Sequence, residues 1–213
     1  MNKKIMNNIH IGCGYIVGKS WKNYDVTPTA RFEKIPILSK IIKINQYKFP
    51  KEVIYGDITK KTLCTRNEAD NIFCSHTLEH MAFEEMKAAL SNIYTMLKPG
   101  GCFRLIVPSL EAKVKKYIKD NNANKFIEDI GMGEISKPKK IFNKIRYLFG
   151  NSRHLWMYDY KSMSKELEDK NFKDISMCKF GDSNIKVFEE VEEKERFINS
   201  EDLPEVCIQC TKK

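Results

Sequence analysis

The sequence predicts an α/β protein built on a doubly wound, mostly parallel sheet. Short apolar segments alternate with amphipathic segments along most of the 213 residues, which is the order expected when helices connect parallel strands. Pro and Gly separate several of these segments, as in the KPGG run at 98–101. The last two apolar segments have no helical pattern between them, so an antiparallel C-terminal strand is expected. Ligands of such a sheet bind at the carboxyl ends of its strands.

Composition limits the possible classes of protein. The chain is 42% hydrophobic and 31% charged, which is ordinary for a globular domain with its own core. No apolar run approaches the roughly 20 residues that cross a bilayer, and the N-terminus has no apolar signal core. The cysteines, seven in number, mostly stand singly in predicted strands. An odd set of scattered thiols favours the reduced state and a cytoplasmic protein.

The stretch NIHIGCGYIVGKSWKNYD at 8–25 has the layout of a nucleoside-binding site. It starts with a short apolar run, which predicts a buried strand. Gly12-Cys13-Gly14 follow, and glycines let backbone N–H groups approach a ligand closely. Asp25 then stands at the expected tip of the next strand, where a carboxylate can bind the hydroxyls of a ribose.

The remaining predicted elements continue the alternation of strands and helices. In chain order they are a helical stretch at about 30–47, strands at 51–58 and 69–75, a helix at 76–97, a strand at 102–108, helices at 111–126 and 142–149, a helix that begins near 160 or 161, and strands at 175–180 and 204–210. The helix at 76–97 is the clearest, because its apolar residues recur on one face and its charged residues lie on the other.

Residues 109–153 are predicted to be an insertion within a single domain that spans 1–213. The part from 112 to 153 contains eleven Lys/Arg and four Asp/Glu, a net of about +7 in a chain of net charge +9. A long basic segment of this kind is typical of a lid or a binding loop, and a solvated helical excursion is the structural alternative. The charge by itself fits nucleic acid, an anionic membrane surface or a phosphorylated substrate.

Four segments together resemble the motifs of a known family: IHIGCG, YGDI, SHTLEH and MLKPGGCFRLIVP. They are similar to class I S-adenosylmethionine-dependent methyltransferases of the type-11 kind, over nearly the whole chain. The resemblance implies a Rossmann-like sheet of seven strands, S-adenosyl-L-methionine as cofactor and S-adenosyl-L-homocysteine as product. The long gap after Pro108 and the HLWMYDY segment resemble a subgroup found among enzymes of glycan and exopolysaccharide synthesis.

The same resemblance implies which residues contact the cofactor: His10, Gly12, Cys13, Gly14, Asp25, Asp57, Ile58, Ser75, His76 and Leu78. Asp25 would accept hydrogen bonds from the ribose hydroxyls and Asp57 from the adenine amino group, although either carboxylate could simply cap a turn. His10 stands where many such enzymes have an acid that engages the methionine amine. Only ten residues separate Gly14 from Asp25, so the usual first helix must be short or nearly absent.

Residues 76–80 also spell H-x-x-E-H, a pattern of zinc peptidases in which two histidines one helical turn apart bind the metal. Such a site needs a third protein ligand on a following helix, and it leaves the glycine turn and the KPGG strand unexplained. We therefore expect no metal and interpret Glu79 as a residue of the core or its lining. The C-x-x-C formed by Cys207 and Cys210 lies in a predicted strand, which puts the two sulfurs on opposite faces.

Methyl transfer from a sulfonium requires mainly that the nucleophile lies in line with the S–CH₃ bond. A sugar hydroxyl also needs a general base because its pKa is very high, whereas an amine needs only to be presented neutral. The candidate bases are His154, with Asp159 as its partner, and His76 or His80. His154 is favoured because it opens an aromatic segment suited to a sugar face; a structural histidine at a helix entry is the alternative.

The sequence therefore predicts an S-adenosylmethionine-dependent O-methyltransferase whose acceptor is a sugar or glycan, free or linked to a nucleotide or lipid. Three alternatives stay open. They are a small-molecule or protein N- or O-methyltransferase, a basic nucleic-acid-binding module, and an inactive partner subunit that binds the cofactor. The chain has no base-reading motif, so nucleic acid is not the expected partner.

Overall fold

The computed structural model describes residues 6–27, 48–133, 153–199 and 202–213. Within them, seven strands form one sheet with the order β3-β2-β1-β4-β5-β7-β6. The strands are β1 (Asn8–Ile11), β2 (Trp21–Asp25), β3 (Val53–Tyr55), β4 (Ala69–Ser75), β5 (Leu97–Val107), β6 (Phe172–Met177) and β7 (Val206–Lys212). Neighbouring strands from β3 to β5 pair in parallel, and β7 runs antiparallel to β5 and β6. The predicted Rossmann-like class and its antiparallel C-terminal strand are confirmed.

Helices connect the strands on both faces of the sheet. They are α1 (Phe83–Met96), α2 (Leu110–Asp120), α3 (Ala123–Asp129), α4 (Tyr160–Asp169) and the short α5 (Lys194–Phe197), with 3-10 turns at Leu78–His80 and Lys186–Glu190. Residues 12–20 contain only turns, so the predicted lack of a first helix is confirmed. None of the described helices is long and apolar enough to cross a membrane. The helices predicted at 30–47 and 142–149 lie outside the described residues.

The helix predicted at 76–97 begins later, at Phe83. His76 has a φ of +48°, which no helix accommodates, and residues 78–80 form a single 3-10 turn. The KPGG run is a bulge within β5, because Ala69 pairs with Leu97 and the next matched residue of β5 is Cys102. The turn after β4 therefore stays free of helix and can shape a site.

Other predicted boundaries also differ from the structure, and the strand predicted at 51–58 is limited to Val53–Tyr55. The helix predicted at 111–126 is divided into α2 and α3, because Asn121 has a φ of +48° and the side chain of Asn122 caps α3 by accepting a hydrogen bond from Lys125 N. Strand β6 lies earlier than the predicted 175–180, and β7 ends later than the predicted 204–210.

Two apolar layers cover the two faces of the sheet. Alternate residues of β5 divide between them, so that Phe103 and Leu105 belong to the first core cluster and Cys102 belongs to the second. The first cluster includes the buried faces of α1 and α4, and the second includes residues of the segment between β6 and β7. Cys210 lies in the first cluster and Cys207 in the second, which confirms that these sulfurs are on opposite faces.

Arg104 is a buried charge that fastens the segment between β6 and β7 to the sheet. Its side chain is 1% exposed and its Nε lies 2.7 Å from Glu192 Oε1, while both terminal nitrogens donate to Asp182 Oδ1 at 3.1 Å. Burial raises the pKa of Glu192 in spite of the arginine beside it. The pair is therefore costly to separate, because either partner alone would be a buried charge without compensation.

Replacing Arg104 by Ala tests this attachment. We expect Arg104→Ala to lower the free energy of unfolding by roughly 3–5 kcal/mol, because Glu192 is left buried without a cation. Urea denaturation followed by circular dichroism measures the change. Lys115→Ala is the control, since Lys115 forms an exposed ion pair with Glu111 that contributes at most about 1 kcal/mol. Equal losses in the two variants would contradict the assignment.

Candidate active site

The strand order reverses between β1 and β4, so the loops that follow these strands open a crevice at the carboxyl edge of the sheet. A cavity of about 200 Å³ lies there, lined by residues that include Gly12 after β1, Asp57 and Ile58 after β3, and Thr77 and His80 after β4. A larger cavity, of about 930 Å³, lies at the amino edge of the sheet. Because ligands of open α/β sheets bind at the carboxyl edge, the smaller cavity is the candidate site.

Two glycines shape the turn after β1. Gly12 and Gly14 have φ values of +66° and +54°, which residues with a Cβ adopt only with strain. A Cβ on Gly12 would lie 1.9 Å from Thr77 Oγ1, whereas one on Gly14 would meet no described atom within 4 Å. Glycine at position 12 therefore lets the loop after β4 pack against this turn, and the space beside Gly14 is open to a ligand.

Asp25 ends β2 and holds the glycine turn in place. Its Oδ2 accepts a hydrogen bond from Gly14 N at 2.8 Å, and its Oδ1 accepts one from Thr27 N at 2.7 Å. The side chain is buried. A carboxylate has about four acceptor positions, so these two bonds leave capacity for the two hydroxyls of a ribose.

Asp57 both closes a turn and lines the cavity. Its Oδ1 accepts hydrogen bonds from the N and Oγ1 of Thr59 at 3.0 and 2.6 Å, and its Oδ2 lies 3.1 Å from Lys60 Nζ. Burial alone would raise its pKa, but the bonds from Thr59 and Lys60 outweigh burial and hold the pKa below the usual value. The carboxylate is therefore ionised and ready to accept a further hydrogen bond.

Several residues predicted to contact the cofactor are core residues. Cys13 packs near Val53 and Leu78 lies in the first core cluster, both almost fully buried. Ser75 ends β4 with its Oγ buried and without a hydrogen-bond partner among the described residues. The structure therefore brings Gly12, Asp57 and Ile58 to the cavity, but not these side chains.

His10 is a correction to the predicted site. Its ring lies in the second core cluster, 5.3 Å from the ring of Phe73 and 6.3 Å from that of Trp21 between centroids. Burial, helped by the positive charge of Arg196, lowers its pKa to about 3. Because side chains alternate along a strand, position 10 faces away from the side of β1 that its neighbours occupy. His10 is thus a neutral core residue, not a ligand of the methionine amine.

Glu79 is the centre of a histidine cluster in the turn after β4. It is 0% exposed, and neither carboxylate oxygen has a hydrogen-bond partner among the described residues. His76 Nδ1 lies 3.4 Å and His80 Nε2 lies 3.9 Å from Glu79 Oε1. The ring of His154 packs edge-to-face on that of His80 with centroids 5.0 Å apart. Glu79 is therefore a residue of the core, as the sequence predicts, and its carboxylate also lies beside the histidines of this turn.

The backbone of Glu79 also anchors the segment that carries His154. Leu155 N and Trp156 N donate to Glu79 O at 2.7 and 3.2 Å, and Leu155 lines the cavity. The predicted aromatic surface is only partly available, since Tyr158 is 1% exposed and Trp156 is 45% exposed. Trp156 is therefore the exposed aromatic residue of this segment, next in the chain to Leu155, which lines the cavity.

Hydrogen bonds orient two of the imidazoles. His80 Nδ1 bonds to Arg153 O at 2.8 Å, and His154 Nδ1 bonds to Ile130 O at 2.8 Å. A carbonyl only accepts, so Nδ1 carries the proton in both rings and Nε2 keeps a lone pair when the ring is neutral. Burial lowers the pKa of His154, which favours that neutral form. The cluster thus offers two nitrogen lone pairs beside a buried carboxylate.

Asp159 does not join this cluster. Its Oδ1 accepts a hydrogen bond from Ser162 N at 2.7 Å, and the residue caps α4. His154 and Asp159 therefore do not form the predicted pair. The carboxylate of Asp159 caps α4, and the ring of His154 donates instead to the backbone carbonyl of Ile130. The carboxylate whose charge acts on His154 is Glu79, which opposes the effect of burial on the pKa of that ring.

The sequence of residues 19–177 matches the family model described as "Methyltransferase domain". The chain belongs to this methyltransferase family. It is an S-adenosylmethionine-dependent enzyme, as predicted. None of the curated proteins compared with it matches it significantly in sequence.

Solved structures share the fold of this methyltransferase. A complex of the Haloferax volcanii Trm112 methyltransferase activator with a candidate methyltransferase matches with a TM-score of 0.52 and 11% identity, over 97% of this chain and 82% of the other. Haemonchus contortus phosphoethanolamine N-methyltransferase 2, with phosphomonomethylethanolamine and S-adenosylhomocysteine, matches with a TM-score of 0.50 and 12% identity, over 97% and 48%. At such identities the likeness concerns the fold alone.

The residues at the carboxyl edge of the sheet fit the cofactor of the family. Gly14 leaves open space where a Cβ would otherwise stand, Asp25 has unused acceptor capacity beside it, and Asp57 lines the adjoining cavity. When bound, S-adenosyl-L-methionine supplies an electrophilic methyl group on a sulfonium. In this chain the glycine turn and the two carboxylates would hold the nucleoside.

Asp25→Ala tests the cofactor contact. We expect the affinity for S-adenosyl-L-homocysteine to fall by about tenfold or more, because a hydrogen bond to a charged group contributes about 1.5–3 kcal/mol. Isothermal titration calorimetry measures the affinity, and Asp169→Ala on an exposed part of α4 is the control. Asp25→Asn keeps an acceptor for Gly14 N and so separates loss of the turn from loss of the ligand contact. A folded Asp25→Ala protein with undiminished affinity would disprove the contact.

The buried His10 predicts a dependence of stability on pH. The folded state binds a proton on His10 only near pH 3, whereas the unfolded chain binds one near 6.5. The unfolded state therefore binds more protons between these values, and stability from this group falls as the pH falls below 6.5, by up to about 1.4 kcal/mol per pH unit. We expect His10→Gln to reduce the pH slope of the unfolding free energy between about pH 6 and 4. Parallel urea titrations that give the same slope for both proteins would refute this.

Proposed function

We propose that this methyltransferase transfers the methyl group to a hydroxyl of a sugar or glycan. The observation that carries the proposal is the cluster of His80 and His154 beside the buried Glu79, in which His80 lines the cavity and both Nδ1 atoms bond to backbone carbonyls. A hydroxyl oxygen attacks only as its proton leaves, whereas a neutral amine needs no help of this kind. A cluster built to handle a proton therefore favours an oxygen acceptor.

Different residues of the chain would bind the cofactor, position the acceptor and accept its proton. The turn with Gly12 and Gly14 and the carboxylate of Asp25 would orient the nucleoside, so that the methyl group faces His80, which lines the same cavity. The acceptor oxygen would lie between the methyl group and the cluster, in line with the bond that breaks. The hydroxyl proton would pass to an Nε2 atom, and the negative charge of Glu79 would stabilise the resulting imidazolium.

Trp156 and the basic insertion support a sugar acceptor. Trp156 is 45% exposed, and its ring lies 4.7 Å from that of Phe83 between centroids, which presents one rigid aromatic face for a sugar. A cavity of about 650 Å³ near α2 is lined by three lysines and three carboxylates: Lys115, Lys116, Lys119, Glu111, Asp120 and Glu205. The cavity is therefore balanced in charge, and the support for a phosphate-linked acceptor is the excess of Lys and Arg in residues 112–153 of the sequence.

The ends of the segment 109–153 support its treatment as an insertion in one domain. Ser109 forms a parallel bridge with Tyr158, and Leu110 N donates to Tyr158 O at 2.8 Å. His154 N donates to Gly131 O at 3.1 Å. Since these bonds join both ends of the segment to the same part of the fold, they support its treatment as an insertion.

The acceptor is tested with labelled cofactor. The protein is incubated with S-adenosyl-L-methionine carrying a labelled methyl group and with nucleotide sugars and lipid-linked glycans, and mass spectrometry locates the label. We expect the label on a hydroxyl oxygen. Label found only on amines, or only on small molecules or proteins, would contradict the sugar proposal.

His154→Gln tests the role of the cluster. We expect kcat to fall by about 100-fold or more, since removing general-base assistance costs 10²–10⁴-fold, while the affinity for S-adenosyl-L-homocysteine stays unchanged. Lys165→Ala, on the exposed side of α4, is the control. Full turnover in His154→Gln would show that the acceptor needs no activation at this position.

A further inference from the structure

Three side chains from two distant segments present their ligand atoms to one point. Glu79 and His80 lie in the turn after β4, and His154 lies beyond the basic insertion. One ligand atom of each falls within 4.8 Å of the others. We propose that these three residues bind a divalent transition-metal ion of the zinc class.

The orientation of both imidazoles fits ligation. A histidine that binds a metal through one ring nitrogen commonly donates its other N–H to a backbone carbonyl or a carboxylate, which fixes the tautomer and the ring. His80 and His154 each use Nδ1 in this way, toward Arg153 O and Ile130 O at 2.8 Å. Because the two carbonyls occupy the Nδ1 atoms, Nε2 is the ring nitrogen left for a metal ion in each histidine.

The buried carboxylate of Glu79 is a second feature that favours a cation at this position. It is fully buried; its Oε1 has His76 Nδ1 at 3.4 Å and His80 Nε2 at 3.9 Å, and its Oε2 has no hydrogen-bond donor among the described residues. A buried carboxylate is costly unless a cation compensates it. A divalent ion at the centre of the cluster would satisfy this carboxylate and both imidazoles together.

The ligand set selects the class of ion. Two imidazoles and one carboxylate are typical of catalytic Zn²⁺ and of non-haem Fe²⁺ sites, whereas Mg²⁺ and Ca²⁺ prefer oxygen ligands. Ligands about 2.0–2.2 Å from the ion stand roughly 3.4 Å apart in a tetrahedral site. His80 Nε2 and Glu79 Oε1 are 3.9 Å apart, so a small movement of the side chains closes the site.

The sequence predicts no metal at residues 76–80, because the H-x-x-E-H pattern has no third ligand on a following helix. The proposed site differs from that pattern in its ligands. The first histidine of that pattern is not a ligand here, because His76 Nε2 bonds to Arg196 O at 3.0 Å. Residues 76–80 are not the helix that a zinc peptidase requires. The missing third ligand is His154, which comes from an irregular segment instead of a following helix.

Three protein ligands leave an open coordination position, and His80 borders the cavity. In a role that rests on the proposed function, the acceptor hydroxyl would take this position, and the ion would lower the pKa of the hydroxyl. The imidazoles would then hold the ion instead of acting as the base, and the hydroxyl proton would pass to solvent water as the oxygen attacks the methyl group. Metal binding itself does not depend on which acceptor is methylated.

Cobalt titration tests the site. The whole chain is treated with a chelator under reducing conditions, dialysed and titrated with Co²⁺, whose visible absorption reports nitrogen and oxygen ligation. We expect about one ion per chain. Glu79→Gln and His154→Ala should each lower the affinity by about tenfold or more, whereas His10→Gln, a buried histidine in the other core cluster, should leave the affinity unchanged.

Failure of this site is distinguishable from failure of the proposed acceptor. Affinity for S-adenosyl-L-homocysteine, measured on the same variants, shows that each remains folded. Absent binding, a thiolate-type absorption spectrum, or an affinity in Glu79→Gln and His154→Ala as high as that of the unmodified chain would overturn the metal site, whatever the methylation assay gives. Metal binding without glycan methylation would overturn only the acceptor. Metal-dependent thermal stabilisation of the unmodified chain provides a readout that needs no variant.

Discussion

The burial of Glu79 is the constraint on which the candidate site depends. Its backbone carbonyl receives the N–H groups of Leu155 and Trp156 and so brings a distant segment onto the turn after β4. Its carboxylate lies fully buried beside His80 and His154, without a hydrogen-bond donor of its own among the described residues. A buried charge in this state attracts a proton or a metal ion, and either one would bring the cluster into the chemistry of methyl transfer.

The strand order of the sheet creates the crevice in which the nucleoside of the cofactor would bind. Reversal of the order between β1 and β4 opens the crevice, and Gly12 lets Thr77 pack directly on the turn after β1. Asp25 ties Gly14 to the tip of β2. The proposed nucleoside surface and the histidine cluster therefore lie at the same edge of the sheet, next to each other.

The sequence predicted what depends on local patterns. Apolar periodicity, the KPGG run and the glycine turn are local, and they predicted the fold and Asp25 at the tip of a strand. Contacts between distant segments left no such pattern. The attraction of Arg104 to Glu192, and of Glu79 to His154, depends on how the chain returns to the sheet, so neither was foreseen. The predicted pairing of Asp159 with His154 was wrong, because the carboxylate of Asp159 caps α4 by accepting a hydrogen bond from Ser162 N, three residues along the chain.

The central claim is that the cofactor site and the histidine cluster face each other across one cavity. A crystal structure of the protein with S-adenosyl-L-homocysteine tests this most directly. The account predicts ribose hydroxyls within hydrogen-bond distance of Asp25 and a sulfur directed toward His80 and His154. A nucleoside bound away from the turn of Gly12 and Gly14, or a sulfur directed away from the cluster, would contradict it.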